Sequence, residues 1–179
     1  MTLVLLALGA ALAIPSYKDM MAQRQVSNGA EQLATFINTA QRVAVETNEV
    51  VTVSYSRMGA TDWCIGAASG EQACDCAETD SSAAGYCQIA SQPFVMNRHA
   101  AGDLDLMHAM DGDGTYAFDP VRGLALDLDD SMTLELRNSG EAFGLNLLVN
   151  STGKVVLCSN DSDHLVPGYE PCPVSLAIN

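Results

Sequence analysis

Basic residues and aromatic rings are both scarce in this sequence. Eight Lys and Arg stand against 22 Asp and Glu in 179 residues, for a formal net charge of −14. Nucleic-acid phosphates are therefore repelled on average, and no nucleic-acid partner is expected. Aromatic residues make up 6% of the chain and Trp63 is its one tryptophan, which leaves little for a platform on which bases or sugars could stack. The chain contains no Gly-x-Ser-x-Gly turn, no His-Glu-x-x-His helix and no phosphate-binding glycine loop. His99, His108 and His164 are scattered, with no serine or cysteine partner at motif spacing. No enzymatic role and no cofactor is expected. An apolar run of full membrane length is lacking too: LVLLALGAALAI from Leu3 to Ile14, counted with Met1 and Thr2, gives about 14 residues against the roughly 20 that a spanning helix needs.

Six cysteines are present: Cys64, Cys74, Cys76 and Cys87 in one group, Cys158 and Cys172 in another. An even number in one modest domain points to disulfides and an oxidising compartment. A zinc site would want a repeated CxxC or cysteines alternating with histidines, and the chain has a single CxC. A bond between Cys74 and Cys76 would close a very tight ring. The two pairings that send these residues to Cys64 and Cys87, in either order, are therefore favoured, leaving Cys158 with Cys172. These staples would order a Gly/Ser/Ala-rich stretch at about 2 to 4 kcal/mol each.

The apolar run Leu3, Val4, Leu5, Leu6, Leu8, Leu12 and Ile14 ends at Pro15 and is followed by the polar Ser16-Tyr17-Lys18-Asp19. From there Val26, Ala30, Leu33, Ile37, Ala40 and Ala44 recur at alternating steps of four and three, with Gln25 just before them and Glu31, Gln32, Asn38 and Gln41 between them. That is the stripe of an amphipathic helix packed on a domain. Pro15 can kink a long helix without ending it, so one helix is expected from about residue 2 to about residue 47. Its first part is apolar all round and suits lipid or other helices; its second is one-sided. A cleaved secretory signal competes with this reading, because Ala11-Leu12-Ala13 supplies small residues for cleavage, although no Lys or Arg precedes the run.

After Glu49 the period changes to two. Val51, Val53 and Tyr55 alternate with Thr52, Ser54 and Ser56; Leu124, Leu126 and Leu128 with Ala125, Asp127 and Asp129; Met132, Leu134 and Leu136 with Thr133, Glu135 and Arg137. Half-buried strands are expected at each, then at Leu145–Val149 and Val155–Leu157, with turns at Asn138-Ser139-Gly140 and Ser151-Thr152-Gly153.

The stretch ALAIPSYKDMMAQRQVSNGAEQLATFINTAQRVAVETNEVVTVSY, and later TYAFDPVRG, LLVNSTGKVVLC and GYEPC, resemble minor type IV pilins and type II secretion pseudopilins of the GspH/FimT, FimU-like family. The resemblance implies an α+β, pilin-like fold: a long N-terminal α-helix packed on an antiparallel β-sandwich-like C-terminal domain. It divides the chain into a hydrophobic membrane or filament-core helix (1–21), its amphipathic continuation (22–48) and a disulfide-bonded periplasmic domain (49–179). The implied partners are other pilin or pseudopilin subunits through the N-terminal helix, and the bacterial inner membrane before assembly, with display on the pilus or cell surface afterwards. The implied role is structural, in pilus assembly or initiation and pilus-dependent motility or adhesion. A pseudopilin of a secretion system, or a secreted binding domain released by cleavage, is the alternative. The family also carries a leader ending in glycine, an N-methylated Phe-Thr-Leu-Ile-Glu-like start and its assembly glutamate. None can be placed on this chain, and a start codon assigned downstream, or a trimmed N-terminus, is expected to account both for them and for the short span.

Two other features are read as surface. Asp111-Gly-Asp113-Gly-Thr115, near Asp103 and Asp105, begins like a calcium loop, but Tyr116 stands where that loop needs glycine and Arg122 where it needs a bidentate glutamate. The loop before the C-terminal cysteine, through which some FimT-like pilins hold DNA, offers Lys154 here, followed by Asp161, Asp163 and Glu170.

Overall fold

The computed structural model describes residues 2–57, 62–110, 114–138, 140, 143–160 and 164–173; for residues 2–16 and 107–110 the backbone alone is described. Helix α1 (Thr2–Thr47) runs unbroken for 46 residues, through Pro15. It contains both the apolar run and the amphipathic stripe. Asn48, in the left-handed region at φ 54°, follows its last turn and redirects the chain into the first strand.

Among the described residues ten strands follow: β1 (Val51–Arg57), β2 (Trp63–Ser69), β3 (Gln88–Ile89), β4 (Gln92–Pro93), β5 (Val95–Asn97), β6 (Asp105–Met110), β7 (Thr115–Phe118), β8 (Met132–Arg137), β9 (Gly144–Val149) and β10 (Val155–Ser159). One antiparallel sheet has the order β5-β2-β1-β7, a second β10-β9-β8-β6, and β3-β4 form a small hairpin. Inward residues from both sheets share one core with the helix: Val51 and Val53, Tyr116 and Phe118, Leu134 and Leu136, Leu145 and Leu147, against Leu33 and Ile37. Buried polar tips tie the sheets together. The Trp63 indole N–H donates to the Leu104 carbonyl at 2.9 Å, and the Tyr116 hydroxyl donates to the Asn150 carbonyl at 2.9 Å. The turn after β9 follows from Asn150, whose Oδ1 accepts the N–H groups of Thr152 and Lys154, and from Gly153 at φ 72°.

Two expectations need correction. Leu124–Asp129 is not a strand: Ala125 alone bridges to Phe118, and Ala125 is buried while Leu126 and Leu128 are exposed. Local turn bonds take over, because Asp127 Oδ1 accepts the Asp129 N–H at 3.1 Å and the Asp127 carbonyl accepts that of Asp130. Strand β1 is not half-buried, since Thr52 and Ser54 on its outer side are buried as well. Thr52 Oγ1 donates to the Gly70 carbonyl and Ser54 Oγ accepts the Cys74 N–H, so the cysteine-rich insert lies over that face.

Three disulfides are present: Cys64–Cys76, Cys74–Cys87 and Cys158–Cys172. Of the two pairings left open for the first four cysteines, the structure therefore has Cys74 with Cys87. Those four pack as a small core of their own with Ala68, above β2. Gly66 lies beneath them, where a Cβ would meet Cys87 Sγ and stand 2.9 Å from Cys87 Cβ.

Candidate assembly surface

The helix changes character part-way along. Tyr17, Lys18, Asp19, Met20 and Met21 are all exposed, Ala22 begins to pack on the core, and Val26 is the first fully buried residue. Val26, Ala30, Leu33, Ile37, Ala40 and Ala44 are each wholly buried against the sheets. Leu3, Val4, Leu5, Leu6, Leu8, Leu12, Ile14 and Pro15 fall in the part of the helix described by its backbone alone. Among the described residues, no helix is long and apolar enough to cross a membrane.

Several contacts that the apolar stripe does not reveal hold the docked half in register. The Gln25 side-chain amide donates to the Gly102 carbonyl, and Gln41 Nε2 donates to the carbonyls of Gly123 at 2.7 Å and Gly153 at 3.1 Å. Gln41 thus bridges the helix to two loops. A Cβ on Gly153 would strike Gln41 Nε2 and the Gly123 oxygen, so glycine is needed there for space as well as for its positive φ. Gly29 lets the chain of residues 101–104 come close, since a Cβ would run into Leu104 Cδ1 and lie 2.7 Å from the Ala101 oxygen. A glycine in the middle of a helix costs about 1 kcal/mol relative to alanine, and that cost was the one signal of close approach readable beforehand. Phe36 stacks on Phe94 with ring centroids 4.3 Å apart. The Tyr169 hydroxyl donates to Glu31 Oε1 at 2.9 Å; burial first, and then this carboxylate, push its pKa up.

Among the described residues, no catalytic arrangement accompanies these contacts. An open groove of about 630 Å³ at the C-terminal end of the helix is lined by Thr47, Glu49, Ser82, Tyr86 and Gln88 among others, with no base beside a nucleophile. Among the described residues, no group of three or more His, Cys, Asp or Glu could hold a metal ion. The candidate calcium ligands Asp111 and Asp113, and the loop carboxylates Asp161 and Asp163, lie outside the described residues. Asp103 pairs with His99 at 2.8 Å and Asp105 with Arg98 at 3.2 Å.

A long helix docked by one stripe on two antiparallel sheets, with residues 17–21 exposed ahead of that stripe, is an architecture for joining something else. Residues 29–153 match the family described as Type II transport protein GspH. The chain belongs to the GspH family. The match spans more than half of the chain and takes in the docked helix from Gly29 onward, β1 to β9 and the disulfide insert. The chain is a minor pilin or pseudopilin of the GspH/FimT kind, from a family of structural subunits and not of enzymes. Its fold is α+β: one long N-terminal helix on antiparallel sheets. The family implies assembly with other pilin-type subunits and a setting at the membrane or pilus surface. Among solved structures, the type IV minor pilin FimU of Pseudomonas aeruginosa PAO1 is similar at 15% identity with a TM-score of 0.48, over 82% of this chain and 95% of that one. No match is found among curated proteins.

Proposed function

We propose that this GspH-family subunit is a minor pilin of a type IV pilus. It enters the filament through residues 1–21, docks its globular domain on the helix through residues 22–48 and presents the disulfide-bonded domain 49–179 outward from the filament. The observation that carries this reading is the split in the helix. Residues 17–21 are exposed and include Tyr17, Met20 and Met21, while every stripe residue from Val26 to Ala44 is buried. The apolar run that precedes these exposed residues can bury itself against the helices of other subunits, where small residues such as Gly9, Ala10 and Ala13 permit close approach. Before assembly the same end resides in the inner membrane, with the domain in the oxidising periplasm that suits three disulfides.

The subunit supports pilus assembly or initiation and, through the pilus, motility and adhesion. Incorporation involves no chemical step. A second reading, a pseudopilin of a type II secretion system, is favoured by the family's own description. A clean deletion in the native host separates the two. Loss of surface pili and of surface motility, with secreted enzymes at normal levels, is the result expected for a pilus subunit. Normal piliation with exoproteins retained in the periplasm would assign the subunit to the secretion system instead.

A further inference from the structure

The segment 119–130 lies between β7 and β8 and presents three large aliphatic side chains to solvent: Val121 at 70% exposure, Leu126 at 43% and Leu128 at 63%. Their exposure is built in. Asp119 Oδ1 accepts the N–H groups of Val121 and Arg122, the Asp119 N–H donates to the Leu124 carbonyl, and the Leu126 N–H donates to that of Ala117. Asp127 closes the turn under Leu128. The segment is also fixed to the helix, because the Gly123 carbonyl is held by Gln41 and the site of a Gly123 Cβ lies 3.3 Å from Val45 Cγ2. Val45 is itself 46% exposed, so the aliphatic surface continues onto the last turns of α1. A backbone already held by its own hydrogen bonds loses little further freedom on binding, which favours a docking surface over a passive loop.

The charge of the segment selects the partner. Asp119, Asp127, Asp129 and Asp130 stand against Arg122 alone in residues 119–130, in a chain of net charge −14. We infer that Val121, Leu126 and Leu128 form a docking surface for a different protein subunit, one that offers an aliphatic face edged by Lys and Arg. A second copy of this chain would set like charges face to face, and an anionic lipid surface would do the same. The inference rests on the assembly reading only in supposing that the partner meets this chain at the cell envelope.

Photocrosslinking in the native host tests it, using the full chain with p-benzoylphenylalanine at Leu128 or, separately, at Tyr17. The expected product at position 128 is a crosslink to a different protein, with the attachment mapped by mass spectrometry to an aliphatic segment flanked by Lys or Arg. Asp129→Lys should lower its yield about tenfold while leaving the Tyr17 product unchanged. Asp129 contributes its backbone N–H to the turn, so the variant keeps the fold. A crosslink at 128 to a second copy or to lipid, no crosslink, or a yield indifferent to Asp129→Lys overturns the proposal. The absence of any pilin-type partner at position 17 counts against the assembly reading instead, whatever position 128 gives.

Discussion

Gly66 occupies a place in β2 where a side chain would run into the disulfide cluster. The obstacle is Cys87 Sγ and its Cβ at 2.9 Å, and both belong to a bridge that cannot swing aside. Gly66→Ala should therefore destabilise the domain by about 1 to 3 kcal/mol through overpacking, although alanine suits a strand better than glycine. Thermal melting of the oxidised protein checks this, and an unchanged or higher Tm would contradict it. Tyr116 makes a second prediction. Burial first, and the negative charge of Asp130 second, push its phenol from 10.0 to about 12. The unfolded chain gives up that proton near 10, so the folded state keeps its full stability below pH 10 and loses it as the pH rises from 10 towards 12. Tyrosine absorbance should show one phenol titrating near pH 12, and Tyr116→Phe should abolish that phase. The variant also leaves the Asn150 carbonyl with the Gly153 N–H as its remaining donor at neutral pH, at a cost of about 1 kcal/mol or less.

At the scale of elements, the helix was legible in outline and its attachment was not. A strict four-and-three spacing of apolar residues with polar neighbours permits no other structure over Val26–Ala44. Gln41 and Gln25, by contrast, read as ordinary polar positions, because the carbonyls they reach belong to loops far away in the chain. The strands divide in the same way. β8 alternates and could be read, whereas β9, expected half-buried, is buried at every position but Asn146, and β2 is buried on both sides and built mostly of small residues, Cys64-Ile65-Gly66-Ala67-Ala68, which carry no alternation. Leu124–Asp129 has the alternation without the strand, because the Asp127 side chain offers the backbone a turn. The disulfide connectivity could be narrowed by ring size, and only the fold decided between the two pairings that remained. Two substitutions gauge the docking of the helix. Leu33→Ala should cost about 2 to 5 kcal/mol, since the side chain is fully buried between helix and sheets. Gln41→Ala should cost about 1 to 3 kcal/mol, because the carbonyls of buried Gly123 and Gly153 lose their shared donor. Denaturant midpoints measure both, and a loss under 0.5 kcal/mol, within the range of about ±0.5 typical of surface changes, would refute the corresponding contact.

Over the whole molecule, acidity and architecture act together. A net charge of −14 keeps isolated copies apart in solution, while the proposed way for a copy to join others is the end of the helix that precedes the docked stripe. The central claim is that this end is the route into the filament. The most direct test replaces Leu5 and Leu12 by Asp in the full chain and asks whether the subunit is found in filaments sheared from the native host. The account predicts that the double variant melts at the same temperature as the parent protein, because the docked stripe from Val26 to Ala44 is untouched, yet is absent from filaments that contain the parent. A variant found in filaments as abundantly as the parent would contradict it.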